Sequence, residues 1–148
     1  AFRATPFEVG LLAAAEPFGA LLAGFALALR RGSSPGRLMM IGGAAGFLLA
    51  LLLVALMLAL PLAVLLLAIG GLGTAVFASL QTSLVMMEAP AEARSRILGL
   101  ITTCIGTGPL GVLLIGVLAD SVGARPAVAI TASMGLGCLA AVLALTRR

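Results

Sequence analysis

Residues 38–87, LMMIGGAAGFLLALLLVALMLALPLAVLLLAIGGLGTAVFASLQTSLVMM, form an apolar run whose few polar side chains all fall in its second half. As one α-helix this run would be about 75 Å long, against a bilayer hydrocarbon core of about 30 Å. It must therefore turn back on itself. Pro61 is the expected break, because proline lacks an N–H and disfavours helix in the residue before it. The run reads as two spans, 38–60 and 62–87, joined by a tight hairpin.

The rest of the chain follows the same pattern. The 148 residues are 62% hydrophobic and 9% charged, with a mean hydropathy of +1.28, whereas a soluble domain carries about 25% charged residues. Upstream, an apolar span at 7–29 ends at the turn-like cluster RRGSSPGR, 30–37. Downstream, the polar loops EAPAEARSR (88–96) and DSVGARP (120–126) bracket spans at 97–119 and 127–145. The expected fold is all-α: a polytopic helix bundle of five transmembrane helices forming a single domain over 1–148. The chain opens at Ala1 without a methionine or a charged leader, and it reads as a fragment.

Several function classes are excluded by what these residues can do. There is no histidine, and Cys104 and Cys138 each lie inside an apolar run, so neither a metal centre nor a disulfide framework is expected. The net charge is +4, but the arginines stand singly or in pairs at span ends. That placement indicates membrane orientation rather than nucleic-acid binding. Five crossings put Arg30, Arg31, Arg37, Arg94, Arg96, Arg147 and Arg148 on one side, and Arg3 and Arg125 on the other. The positive-inside bias then predicts a plasma or inner membrane protein with its C-terminus in the cytoplasm and its N-terminus outside. No nucleophile with an adjacent base and no phosphate-binding loop is present, so no enzyme and no cofactor are expected.

Helices in lipid pack through small residues that let backbones approach. Gly42 and Gly46 form such a pair on the second span, and Gly99, Thr103, Thr107 and Gly111 form a stripe on the fourth. Polar residues are concentrated on the first, third and fourth spans, which are expected to face protein or water, while the second and fifth are expected to face lipid. On the third span Thr74, Phe77, Gln81 and Glu88 lie near one helical face and could wall a polar cavity. The hydroxyls of Ser79, Thr82 and Ser83 are expected to bond back to their own helix.

The stretch 88–130, EAPAEARSRILGLITTCIGTGPLGVLLIGVLADSVGARPAVAI, resembles the last cytoplasmic loop and final helix pair of the major facilitator superfamily. The matching residues are Ala89, Pro90, Glu92, Arg94, Arg96, Gly99 and Leu100 in the loop, then Gly108, Pro109, Leu110 and Gly111 at a helix kink. They continue with Gly116, Leu118, Ala119, Asp120, Gly123 and Arg125. The pattern is similar to the enterobactin-exporter and macrolide-efflux branch, though the loop has Ser95 where the family usually has glycine. The resemblance implies helices 8 to 12 of a twelve-helix transporter, a partial major facilitator fold whose N-terminal seven helices are absent. It also implies a small-molecule substrate, protons and the missing N-terminal half as partners, with Gly108, Pro109, Gly111, Asp120 and Arg125 in kink and packing roles.

On this reading the chain belongs to a secondary exporter of drugs or siderophore-like molecules working by alternating access. Glu92, Arg94 and Arg96 would form a cytoplasmic loop or gate. Glu16, in LLAAAEPFGALLAG (11–24), is a carboxylate near the centre of the first span. Ionised and facing lipid it would cost at least a few kcal/mol, so it either faces water or carries a proton. Glu16, Gln81, Thr74 and Phe77 are accordingly the candidates for substrate or proton coupling. A neutral Glu16 bonded to a carbonyl beside Pro17 is the structural alternative. At the level of the whole chain, the alternative is a small membrane interaction or assembly protein that transports nothing.

Overall fold

The computed structural model describes residues 5–29, 36–57 and 59–146. It is all-α, with helices α1 (Pro6–Leu29), α2 (Arg37–Leu56), α3 (Leu60–Glu88), α4 (Ala91–Gly106), α5 (Gly108–Val122) and α6 (Ala124–Thr146). With Ala91–Val122 taken as one span across α4 and α5, five segments among the described residues are long and apolar enough to cross a membrane. Arg3, Arg30, Arg31, Arg147 and Arg148 lie outside the described residues.

The start of α1 is set by the sequence TPFE. The Thr5 N–H and hydroxyl donate to the Glu8 carboxylate at 2.7 and 3.1 Å, and the Glu8 N–H donates to the Thr5 hydroxyl at 3.4 Å. Pro6 occupies the first helical position, where a missing N–H costs nothing. The helix then continues through Pro17, which leaves the Ala13 carbonyl without its usual donor.

The hairpin lies earlier than the sequence reading placed it. The second span stops at Leu56 instead of residue 60, because Met57 is extended at φ −84°, ψ 145° and Ala59 is extended at φ −91°, ψ 121°. Pro61 does not break the chain here; it sits in the first turn of α3, where its ring and missing N–H are tolerated. The fourth span also differs, being longer at both ends than 97–119 and divided at Thr107 (φ −79°, ψ −5°). Pro109 cannot donate to Ile105, and the Thr107 N–H and hydroxyl turn back to the Cys104 carbonyl at 3.2 and 2.6 Å. The helix is thus interrupted at Thr107, immediately before Gly108 and Pro109, where the sequence pattern places a kink.

Helix α3 is the centre of the bundle, packing along α1 on one side and α2 on the other, and α2 in turn packs against α6. The core is built from small residues. Apart from Leu80, every buried apolar side chain among the described residues is an alanine, joined by Gly19, Gly70 and Gly71. A Cβ on Gly19 would collide with the Ala68 carbonyl, and one on Gly71 with the Glu16 carbonyl. Across the α2–α3 seam a Cβ on Gly43 would lie 2.7 Å from the Gly73 carbonyl, and one on Gly73 would collide with the Gly43 carbonyl. Since lipid chains are as apolar as leucine, this close backbone approach and its van der Waals contact hold the helices together.

The Gly42–Gly46 pair is not the contact it was expected to be: both residues are exposed, with open space where a side chain would go. The seam runs through Gly43, Phe47 and Ala50, which meet Gly70 and Gly73. That face is rotated by one residue, about 100°, from the expected one. Nor does α2 only face lipid; Leu38, Leu49, Leu53 and Leu56 are exposed while the opposite side packs on α3. The fourth span has no buried residue, and among the described residues nothing lies within 4 Å of a Cβ placed on Gly99 or Gly111.

Candidate functional site

One end of the bundle gathers most of the described charge. Arg37 is the first residue of α2 and Glu88 the last of α3, and their side chains pair at 3.8 Å. Both are well exposed, at 64% and 59%, so the pair contributes at most about 1 kcal/mol. Beneath it lies a cavity of about 350 Å³ lined by Arg37, Met40, Gln81, Leu84, Glu88 and, from α4, Ile97, among others. Gln81 and Glu88 share this lining because seven residues are nearly two helical turns.

The third-helix candidates divide between sites. Gln81 and Glu88 line the α2–α3–α4 cavity, whereas Phe77 lines a neighbouring cavity of about 310 Å³ between α2, α3 and α6. The Thr74 hydroxyl donates to the Gly71 carbonyl at 3.0 Å, on the α1 side. Thr82 and Ser83 likewise donate to Ala78 and Ser79 at 3.5 and 2.9 Å. On the fourth span, Thr102 and Thr103 donate to Leu98 and Gly99 at 3.0 and 2.9 Å. These hydroxyls are occupied by their own helices.

Glu16 is half-buried in the middle of α1, and its backbone carbonyl abuts Gly71. It stands on the α1–α3 seam, separate from the residues that line the cavity around Gln81. The structure thus does not bring Glu16, Thr74, Phe77 and Gln81 into one pocket. Thr74 and Glu16 are related through Gly71, while Phe77 and Gln81 sit further toward the Glu88 end.

At the α3–α4 loop, Nε of Arg94 donates to the Ala89 carbonyl at 3.0 Å. Arg94 therefore ties α4 to the end of α3, and Glu88 has Arg37 as its ion-pair partner. Glu92 and Arg96 are exposed in the first turns of α4. At the far end, Gly123 adopts φ +92°, a conformation that favours glycine, and turns α5 into α6. Asp120 is exposed before this turn and Arg125 half-buried after it. Thr146 lines a cavity with Arg37, and α6 runs from Ala124 to Thr146, so Arg125 lies about 32 Å from that end.

Two features of the site were not read from the sequence. The Arg37–Glu88 pair joins residues far apart in the chain, and only the fold of the hairpin reveals it. The Thr5–Glu8 cap, by contrast, carried a visible T-x-x-E signal. Comparison with protein family models, curated proteins and solved structures returns no match.

Proposed function

We propose that this chain is the C-terminal membrane part of a secondary exporter of the major facilitator type, moving drug-like or siderophore-like small molecules against protons by alternating access. The observation that carries this reading is the fourth span. It is 32 residues long and apolar, yet none of it is buried, and it is interrupted at Thr107. Broken helix at membrane depth is tolerated where it is covered by protein or lines a water-filled cavity. A further set of helices against this span meets that requirement, and the loop and kink motifs that resemble the superfamily lie on the same span.

Arg37, Arg94 and Arg96 then mark the cytoplasmic end and Arg125 the outer end, in keeping with the positive-inside rule. Glu16 is the proton-coupling candidate: a carboxylate within about 3 Å of the centre of α1 and beside the Gly71 contact. Gln81 is the candidate for substrate contact at the cytoplasmic cavity.

The test is proton-driven efflux of dyes and macrolides from proteoliposomes holding the full-length protein. Glu16→Gln should abolish the dependence on the proton gradient while the protein still inserts and folds. Efflux with unchanged pH dependence leaves Glu16 a purely structural group, and no efflux across a broad panel removes the transport reading. The exposed fourth span also favours one other reading, a docking face in a membrane assembly protein. An upstream reading frame encoding about seven further hydrophobic spans decides for the exporter, and an in-frame stop followed by a start codon decides against it.

A further inference from the structure

The cavity between α2, α3 and α6 has a polarity profile that the transport reading does not use. Its polar lining, Arg37 and Thr146, lies at the helix ends, whereas Ile41, Ala44, Phe77, Leu139 and Leu143 line the deeper part. From Arg37 to Ala44 is seven residues, or about 10 Å of depth along α2. A slot that is cationic at the membrane surface and hydrocarbon-lined below it fits one phospholipid, with its headgroup at the surface and one acyl chain inside.

The charges at the mouth narrow the choice of headgroup. The Thr146 hydroxyl already donates to the Val142 and Leu143 carbonyls at 2.9 and 3.3 Å, which leaves Arg37 as the donor for a phosphate. Its guanidinium has five N–H donors, and the contact with Glu88, at 3.8 Å, is long and exposed. Arg37 and Met40 form the wall shared with the neighbouring cavity, whose lining includes Glu88. A phosphate seated on Arg37 is therefore beside a carboxylate. A wholly anionic headgroup would be repelled there, whereas a headgroup bearing both a phosphate and an ammonium matches both signs. A primary ammonium also donates hydrogen bonds to Glu88, which a trimethylated one cannot.

We propose that the slot between α2, α3 and α6 is a binding site for a phosphoethanolamine-headed lipid, with the phosphate on Arg37, the ammonium on Glu88 and one acyl chain against Ala44, Phe77 and Leu139. The site stands whether or not the protein transports, since it uses neither Glu16 nor the fourth span.

The test is lipid retention by the full-length protein, equilibrated with mixed vesicles of phosphatidylethanolamine, phosphatidylcholine and phosphatidylglycerol in equal amounts and then analysed by native mass spectrometry. Wild type should retain phosphatidylethanolamine over phosphatidylcholine by roughly threefold, the size of one exposed ion pair. Glu88→Gln should erase that preference, Glu88→Asp should keep it, and Arg37→Gln should lower retention of all three lipids. Ala44→Phe, which fills the slot without changing charge, should lower retention as well. Equal retention of phosphatidylethanolamine and phosphatidylcholine by wild type, a preference for phosphatidylglycerol, or an unchanged preference in Glu88→Gln overturns the proposal. Displacement of the lipid by millimolar phosphoethanolamine also overturns it, in favour of a site for a soluble headgroup alone.

Discussion

The α1–α3–α2 seams and the fourth span carry similar small-residue patterns and have opposite fates in the fold. On α1, Ala15, Gly19 and Ala23 recur every four residues and are all buried against α3. On the fourth span, Gly99, Thr103, Thr107 and Gly111 recur at the same spacing and are all exposed. The difference lies in the opposing surface. Gly19 has Ala68 to approach and Gly71 has Glu16, so each small residue is matched by a backbone that comes close because it is small. Spacing alone marks a helix able to be approached; it does not say by what.

The sharpest way to break this contrast is a bulky residue at the tightest crossing. Gly71→Leu should destabilise the bundle by about 3 kcal/mol, the upper end of ordinary overpacking, because the atoms it meets are backbone and cannot swing aside. Unfolding in mixed micelles, followed by far-UV circular dichroism, measures it; a loss below about 1 kcal/mol would show that the α1–α3 seam is looser than its geometry. Smaller in effect, Thr5→Ala removes the cap that starts α1 and should cost about 1 kcal/mol in the same assay. Glu88→Gln should cost less than about 1 kcal/mol, and raised salt should shrink even that, since the pair it breaks is exposed.

Gly111→Leu sharpens the comparison from the other side. In the 148-residue chain alone it should change stability by less than about 0.5 kcal/mol, as no described residue approaches that position. In the full-length exporter proposed above it should lower stability or efflux clearly, because a partner helix would lie there. Indifference in both settings would leave the stripe facing lipid and remove the main support for a covering set of helices.

Much of the architecture was legible in the sequence, for a physical reason: bilayer thickness converts apolar length directly into helices. The expected span 7–29 is observed as Pro6–Leu29, and 127–145 as Ala124–Thr146. The errors came where local chemistry has two solutions. Pro61 is compatible with lying in the turn itself or in the first turn of the helix that follows it, and extended Met57 and Ala59 show that the second holds. Gly42, Gly43 and Gly46 are all small, and only the position of α3 selects Gly43 as the contact. The candidate site was less legible still. Gln81 and Glu88 were placed on one face by helical periodicity, but Arg37, which completes their cavity, lies 44 positions before Gln81 and is brought there by the hairpin.

That hairpin also bears on how the protein enters a membrane. Between α2 and α3 the sequence is Met-Leu-Ala, with no charge and no polar side chain, so carrying this stretch across the hydrocarbon exposes little beyond a few peptide groups. The other connections between the five spans have charged residues in or beside them: Arg30, Arg31 and Arg37, then Glu88 and Glu92, then Asp120 and Arg125. The insertion machinery can accept α2 and α3 together as one antiparallel pair, with the Gly43–Gly73 contact closing as they arrive. The groove that receives α1 lies on another side of α3, so it is complete once that pair has formed.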